Sequence, residues 1–147
     1  QAKTMIDAAV ARGKALEKLK EIIIAQGGEP KVLEDYSLFA SSPVIYPIIA
    51  KHSGWVHKID CKAIGYALVH IKAGRKKVTD TLDYGAGAIL YPKIGDEIKS
   101  GDKIGEIHCA NKNEAEETAE LILNAYKIAD TKKEKEDLIL EITVSEK

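Results

Sequence analysis

The sequence predicts an α+β fold, in which a compact, mainly antiparallel β module of hammerhead or half-barrel type carries two helices and follows a helical arm. Three observations lead to this class. Short alternating segments separated by closely spaced turns recur after residue 43. Two further stretches in the same region repeat apolar residues at spacings of three and four, as helices do. The first 26 residues have the same helical spacing and end at a polar break.

The helical arm is predicted from apolar residues that recur along residues 1–26. Gly13 interrupts this pattern and should bend the helix or split it in two, because glycine costs about 1 kcal/mol in a helix interior. Gly27-Gly28 should end the helix in the left-handed conformation, and Pro30 prevents its continuation. The apolar positions are Met5, Ile6, Ala9, Val10, Leu16, Leu19, Ile22 and Ile23.

A polar stretch predicts the domain boundary, since it contains two serines directly before Pro43. We therefore expect residues 1–28 to be an arm that belongs to a preceding domain, residues 29–43 to be a linker, and residues 44–147 to form one domain. The chain starts without Met inside a helical pattern, which favours a longer parent protein.

The domain is expected to begin with two strands and a helix. Val44–Ala50 is a strand that Pro47 restricts to a sheet edge or a bulge. Trp55–Ile59 is a second strand, with Trp55, His57 and Ile59 on one face and Val56 and Lys58 on the other. Asp60 is expected to cap the helix that follows. The positions on one face of this helix are Ile64, Ala67, Leu68 and Ile71, and the helix is expected to run into Ala73-Gly74-Arg75.

Turns dominate the next part of the chain. Gly85-Ala86-Gly87 precedes a short apolar strand, Ala88–Tyr91, and Lys103–Ala110 is another strand. Between these strands, the dipeptides Gly95-Asp96 and Gly101-Asp102 have the composition of tight reversals.

The C-terminal part is predicted to contain a helix, a loop and a strand. Asn111 or Asn113 caps the helix. Thr131–Asp137 alternates acidic residues with lysines and indicates a solvated loop. Leu138–Val144 alternates and predicts a final strand, with Leu138, Leu140, Ile142 and Val144 on one face. The buried stripe of the helix is predicted to be Ala115, Ala119, Ile122, Leu123 and Tyr126.

Bulk composition narrows the classes of function. A formal net charge of −1 gives no electrostatic reason to expect binding to nucleic acid or to an anionic membrane. No apolar run reaches the roughly 20 residues that span a bilayer, and residues 1–15 lack the apolar core of a signal peptide. Two cysteines without motif spacing, Cys61 and Cys109, favour a reduced, cytoplasmic protein.

Most residues that could carry chemistry have a simpler structural interpretation. His52 and His57 lack a third ligand, and His108 and Cys109 are neighbours on a strand that point to opposite faces, so no metal site is predicted. Gly85-Ala86-Gly87 leads into a strand, whereas a phosphate loop leads into a helix N-terminus, so these glycines are interpreted as conformational. We find no catalytic residue.

Gly74-Arg75-Lys76-Lys77 is the one segment for which a binding role competes with a structural one. Arginine presents a rigid fork of donors that fits a carboxylate or a phosphate. Three cations at the end of a helix would also simply offset the helix dipole. The residues alone leave both interpretations open.

An ordered set of motifs adds a family resemblance that covers nearly the whole chain. In order, the set is Gly13-Lys14-Ala15-Leu16-Glu17-Lys18, Ala25-Gln26-Gly27-Gly28, Gly54-Trp55-Val56, Ala63-Ile64-Gly65, Gly74-Arg75-Lys76-Lys77, Thr79-Asp80, Asp83, Gly87 and Gly95-Asp96-x-Ile98-x-x-Gly101. In this order the motifs resemble the C-terminal domain of pyrimidine-nucleoside and thymidine phosphorylases, together with the helix that precedes it.

The resemblance implies an enzyme that takes a pyrimidine (deoxy)nucleoside and phosphate and yields the free base and (deoxy)ribose 1-phosphate, without an organic cofactor. It implies that the phosphate loop, the catalytic histidine and the base-binding residues lie upstream, and that the parent is a homodimer formed through an N-terminal helical domain. It assigns Gly74, Arg75, Lys76 and Lys77 to a loop near the mouth of the substrate cleft. Thymidine-restricted, broad pyrimidine and nucleoside-monophosphate specificities are all compatible with this sequence.

Two alternatives accompany this interpretation. The segment Ile94–Ile107 resembles one half of a biotinyl or lipoyl carrier module, in which the modified lysine stands at a hairpin tip. Lys112 is the nearby candidate, but it lies beside a predicted helix and no second half follows. The other alternative is a non-catalytic scaffolding domain.

Overall fold

The N-terminal part of the chain is helical, as its apolar period predicts. The computed structural model describes residues 1–134, 139 and 141–143, which divide into two units, Gln1–Ala40 and Ser41–Lys147. In the first unit, α1 (Ala2–Ala11) and α2 (Lys14–Ala25) are separated by Gly13, which has a φ of +75°. The predicted split is therefore confirmed, since this left-handed conformation is one that glycine adopts without strain.

The end of α2 also follows the prediction. Gly27 has a φ of +77°, and the N–H of Gly28 donates to the carbonyl of Ile23 at 2.8 Å, which is a left-handed glycine cap. Two short 3-10 helices, Pro30–Leu33 and Tyr36–Leu38, follow in the same unit. The role of residues 29–43 as a linker stays a prediction.

Two small antiparallel sheets form the framework of the second unit. The first has the order β1-β5-β3 and the second β4-β2-β6. The predicted α+β class is confirmed, with the strands divided between two open sheets. The strands are β1 (Val44–Ile49), β2 (Gly54–Ile59), β3 (Gly87–Leu90), β4 (Glu97–Ile98), β5 (Lys103–Cys109) and β6 (Tyr126–Ala129), and the helices are α3 (Cys61–His70) and α4 (Lys112–Ala125).

Pro47 lies in β1, which is an edge strand paired only with β5 among the strands that the structure describes. This confirms the prediction, because proline cannot donate to a neighbouring strand. β2 departs from the predicted simple alternation. Val56 pairs with Ile128 and Lys58 pairs with Lys127, so His57 is an extra residue that forms a bulge.

Both helices bury the faces that the sequence predicts. Ile64, Ala67 and Ile71 are buried beneath α3, and Leu68 is half-buried beside them. Ala115, Ala119 and Ile122 are buried on α4. Tyr126 is buried too, but it is the first residue of β6 and not part of the helix, so its assignment to the helical stripe is wrong.

The two N-caps are confirmed. The carboxylate of Asp60 accepts from the N–H of Ala63 at 3.0 Å, and the side chain of Asn111 accepts from the N–H of Asn113 at 2.8 Å. Each side chain satisfies a backbone donor that has no partner within the first helical turn.

The end of α3 differs from the prediction, which continued the helix to Arg75. The helix stops at His70 because Lys72 adopts a left-handed φ of 65°. The N–H of Lys72 then donates to Val69 at 3.2 Å and that of Ala73 to Leu68 at 3.1 Å, which is the Schellman pattern.

Of the predicted final strand, Leu138–Val144, three residues (Leu138, Leu140 and Val144) lie outside the described residues, and the four described residues are not in a strand. The loop predicted for Thr131–Asp137 is described only as far as Glu134, and it has no regular structure there. Among the described residues, every helix is too short or too polar to cross a membrane.

Candidate functional site

The candidate site is the connection between α3 and β3, residues 72–83, which we call the basic loop. Its two ends are joined by a hydrogen bond of 3.0 Å from the N–H of Asp83 to the carbonyl of Lys72. The Asp83 carboxylate also accepts from the N–H of Gly85 at 2.9 Å, which forms a tight turn into β3. The loop therefore leaves and rejoins the folded core at a closed neck.

Gly74 stands where the loop leaves α3. A Cβ atom at this position would lie 2.8 Å from Cγ2 of Val69, closer than carbon atoms approach in folded proteins. Glycine is therefore required by packing against the helix, without any need for an unusual backbone conformation.

The turn at the tip of the loop is held by Asp80. One carboxylate oxygen of Asp80 accepts from the N–H of Lys76 at 3.0 Å and from the N–H of Lys77 at 2.9 Å. The N–H of Asp80 donates back to the carbonyl of Lys77 at 3.1 Å. Because the acceptor is charged, these bonds are stronger than those between neutral groups.

Arg75, Lys76 and Lys77 are exposed on the surface of this loop. None of the ion pairs in the described part of the chain involves any of the three. The dipole interpretation of these cations stays a prediction, since α3 ends at His70 and the three residues follow its last turn in the chain.

A groove of about 410 Å³ runs between the basic loop and the last turn of α3. The imidazole Nε2 of His70 lies 2.9 Å from a carboxylate oxygen of Glu117, which links α3 to α4 beside this groove. The groove is lined by Val69, His70, Lys72, Gly74, Lys76, Thr79, Asp80 and Thr81. Two lysines, Lys72 and Lys76, against the one carboxylate of Asp80 give this lining an excess of positive charge, which favours an anionic ligand.

The other histidines do not gather at this site. His57 Nε2 contacts the carbonyl of Thr131 at 2.5 Å, and the backbone carbonyl of His57 accepts from Lys133, so this residue joins β2 to the segment after β6. His52 lines a separate cavity of about 900 Å³. Within the described ranges, no three His, Cys, Asp or Glu side chains converge as metal ligands would.

His108 belongs to a charge cluster on β5. Its Nε2 lies 3.1 Å from the carboxylate of Glu106, which also accepts from Lys103. The bond from Lys103, and then that from His108, hold the pKa of Glu106 below its ordinary value. Cys109 is fully buried and its thiol donates to the carbonyl of Asn111 at 3.1 Å, as expected for a packed cysteine.

Neither Gly85 nor Gly87 has a positive φ, so the interpretation of these glycines as conformational is wrong. β3 begins at Gly87, so a strand and not a helix follows them. A Cβ atom at Gly85 would lie 2.8 Å from the backbone of Ser41, which explains why a side chain is excluded there.

Lys112 does not occupy the setting of a modified lysine. It is the first residue of α4, and its ammonium group lies 3.8 Å from Glu116 on the same helix. A carrier module presents its lysine at a hairpin tip, so the position of Lys112 counts against that alternative.

Sequence reasoning missed the part played by Asp80. The pattern that could have revealed it is Lys-x-x-Asp, which occurs at Lys77–Asp80 and again at both Gly-Asp turns. In those turns the Asp96 carboxylate accepts from the N–H of Lys93, and the Asp102 carboxylate from that of Lys99, each at 2.8 Å. The repeated spacing indicates one turn type used three times.

Comparison with known proteins agrees with the resemblance in the sequence. The chain is 31% identical to a thymidine phosphorylase of Burkholderia orbicola over 131 residues, which are 88% of this chain and 30% of that protein. It is 30% identical to a pyrimidine-nucleoside phosphorylase of Geobacillus stearothermophilus, over 89% of this chain and 30% of that protein. The chain thus spans about 30% of the length of these curated relatives.

A family model described as the pyrimidine nucleoside phosphorylase C-terminal domain matches residues 55–129. This range begins in β2 and ends with β6, so it contains the basic loop, both Gly-Asp turns and the helices α3 and α4. The chain therefore belongs to the family of pyrimidine nucleoside phosphorylase C-terminal domains.

Proposed function

We propose that this chain is the C-terminal domain of an enzyme that transfers the pentosyl group of a pyrimidine (deoxy)nucleoside to phosphate. The products are the free base and (deoxy)ribose 1-phosphate. The observation that carries the proposal is similarity to proteins named thymidine phosphorylase and pyrimidine-nucleoside phosphorylase along 88% and 89% of the chain. The substrates are therefore a nucleoside and phosphate, without an organic cofactor.

Within that enzyme, the basic loop forms a wall or lid of the substrate cleft. Support comes from Arg75, Lys76 and Lys77, which are exposed and form no ion pair among the described residues. Of these three, Lys76 lines the groove, and exposed cations on the same loop attract an anion such as phosphate and speed its encounter with the site. A loop closed at its neck can also move as a unit when the cleft closes.

The catalytic residues themselves lie outside this chain. Phosphorolysis needs a preorganised anion site, residues that bind the pyrimidine base, and exclusion of water. In the described part of the chain, the glycines at Gly85 and Gly87 lead into a strand, and His57, His70 and His108 have structural partners. The chain supplies scaffold and cleft wall, and the whole enzyme acts as a cytoplasmic homodimer.

The activity test compares the chain alone with a longer protein that contains it. Each is incubated with thymidine or uridine and phosphate, and release of the free base is measured. We expect base release from the longer protein and none from residues 1–147 at high concentration. Phosphate-dependent release of thymine that copurifies with the chain alone would contradict the proposed location of the catalytic residues.

The loop is tested by Arg75→Ala in the longer protein. Loss of one steering or closing cation should lower kcat/KM by about tenfold, which corresponds to about 1.4 kcal/mol. Lys99→Ala is the matched control, because Lys99 is an exposed lysine of the second Gly-Asp turn. Equal kinetics for Arg75→Ala and the control would contradict a role of the loop in the cleft.

A further inference from the structure

The chain contains three Lys-x-x-Asp turns with the same reciprocal hydrogen bonding. In each, the aspartate carboxylate accepts from the N–H of the lysine three residues earlier, at 2.9, 2.8 and 2.8 Å. In each, the aspartate N–H donates back to the carbonyl of that lysine, at 3.1, 3.0 and 3.0 Å. The three turns are Lys77–Asp80, Lys93–Asp96 and Lys99–Asp102.

Two of these turns are tied to neighbouring backbone by a glycine. The N–H of Gly95 donates to the carbonyl of Val56, and the N–H of Gly101 to that of Ala50, each at 2.8 Å. The turn in the basic loop has Thr79 at the equivalent position, and no backbone hydrogen bond joins residues 75–79 to a strand in the described structure.

Asp80 compensates for the missing tie. In addition to the bond that all three aspartates make, it accepts from a second backbone N–H, that of Lys76, at 3.0 Å. Its carboxylate also places one negative charge among the three positive charges of Arg75, Lys76 and Lys77, which reduces their mutual repulsion. The conformation of the loop tip therefore depends on a single side chain.

We propose that Asp80 is the positioning residue of the basic loop. By binding the N–H groups of Lys76 and Lys77 it fixes the backbone from which the cationic side chains project toward an anionic substrate. Its assigned role is to hold the loop backbone through Oδ2, and not to act on substrate. The consequence for catalysis rests on the proposed function, whereas the consequence for loop order does not.

Loop order is tested on the chain as it is, by amide hydrogen exchange of Lys76 and Lys77. Asp80→Ala should increase both exchange rates by about tenfold, because hydrogen bonds to a charged acceptor are removed. Asp80→Asn keeps an acceptor oxygen and should restore part of the protection. Asp102→Ala is the matched control, since it removes the same type of bond from Lys99 and should leave Lys76 and Lys77 unchanged.

Equal exchange at Lys76 and Lys77 in wild type and Asp80→Ala would overturn the proposal. Loss of protection throughout the chain in Asp80→Ala would also overturn it, because the effect would then be global. In the longer protein, Asp80→Ala should raise KM for phosphate severalfold with a smaller effect on kcat, and Asp80→Asn should rescue part of this. Altered exchange with unaltered kinetics would retain the loop-ordering role and reject its catalytic consequence, along with the cleft role of the loop.

Discussion

The basic loop and the double turn of residues 93–102 are made from the same Lys-x-x-Asp element, yet they differ in what surrounds it. In the double turn, each glycine N–H is bonded to backbone at 2.8 Å, and Ile98 between the two turns is buried. In the basic loop, the tip projects from the core and Val78 is exposed. The same local chemistry thus produces a corner bonded to neighbouring backbone in one place and an exposed, projecting loop in another.

Ion pairing does not separate the two regions. Lys93 and Lys99 of the double turn form no ion pair in the described part of the chain, and neither do Arg75, Lys76 and Lys77. The regions differ in the spacing of their cations, which are consecutive in the basic loop and six residues apart in the double turn. Consecutive cations raise the local positive potential, which favours an anionic ligand.

The largest expected effect comes from exchanging the central apolar residue of each region for alanine. Ile98 is 5% exposed and Val78 is 91% exposed. Ile98→Ala should lower the free energy of unfolding by about 2–4 kcal/mol through lost burial and a new cavity. Val78→Ala should change it by less than about 0.5 kcal/mol. Urea unfolding measures both, and similar losses would show that the loop tip packs as the double turn does.

A smaller effect on the free energy of unfolding is expected at the residue of each region whose backbone is in the left-handed conformation. Gly101 has a φ of +93° with open space around its missing Cβ, so Gly101→Ala should cost about 1–2 kcal/mol through backbone strain alone. Lys72 has a φ of 65°, so Lys72→Gly should stabilise the chain by up to about 1 kcal/mol. Unfolding midpoints of the two variants should therefore move in opposite directions. A destabilising Lys72→Gly would contradict the assigned end of α3.

The smallest expected effect is on the pH dependence of stability, through the charged side chains that pair on β5. The pKa of Glu106 is lowered in the folded chain from its ordinary value of 4.5, chiefly by Lys103 and then by His108. A lowered carboxyl pKa contributes stability at higher pH, and this contribution is lost as pH falls through the folded value. Glu106→Gln should therefore lose less stability than wild type as pH falls below about 5. Parallel unfolding curves across that range would contradict this, and Glu97→Gln on an exposed strand position is the control.

Local features of the fold were predictable because their causes are local. The split at Gly13, the caps at Asp60 and Asn111, and the edge position of Pro47 each follow from one residue and its immediate neighbours. The bulge at His57 was not predictable, because it depends on how β2 aligns with β6, about seventy residues later. The division of the strands between two sheets depends on the same long-range pairing.

The candidate site shows the same limit. The sequence identified Gly74, Arg75, Lys76 and Lys77 as the segment of interest, because a run of cations after a glycine can be read directly from the sequence. It placed them at a helix end, since nothing in the composition indicates that Lys72 adopts a left-handed conformation. The part played by Asp80 required coordinates, because a Lys-x-x-Asp spacing does not say which backbone donors the carboxylate reaches.

The sequence by itself therefore determined the class of fold, the helical faces, the caps, the turn positions and the membership of the family, all of which depend on residue type and short spacing. Only the tertiary structure decided where α3 ends, which turns are bonded to neighbouring backbone, and which cations are left without an acidic side-chain partner. Those outcomes depend on contacts between segments that are distant in the chain, and such contacts form only when the whole domain packs.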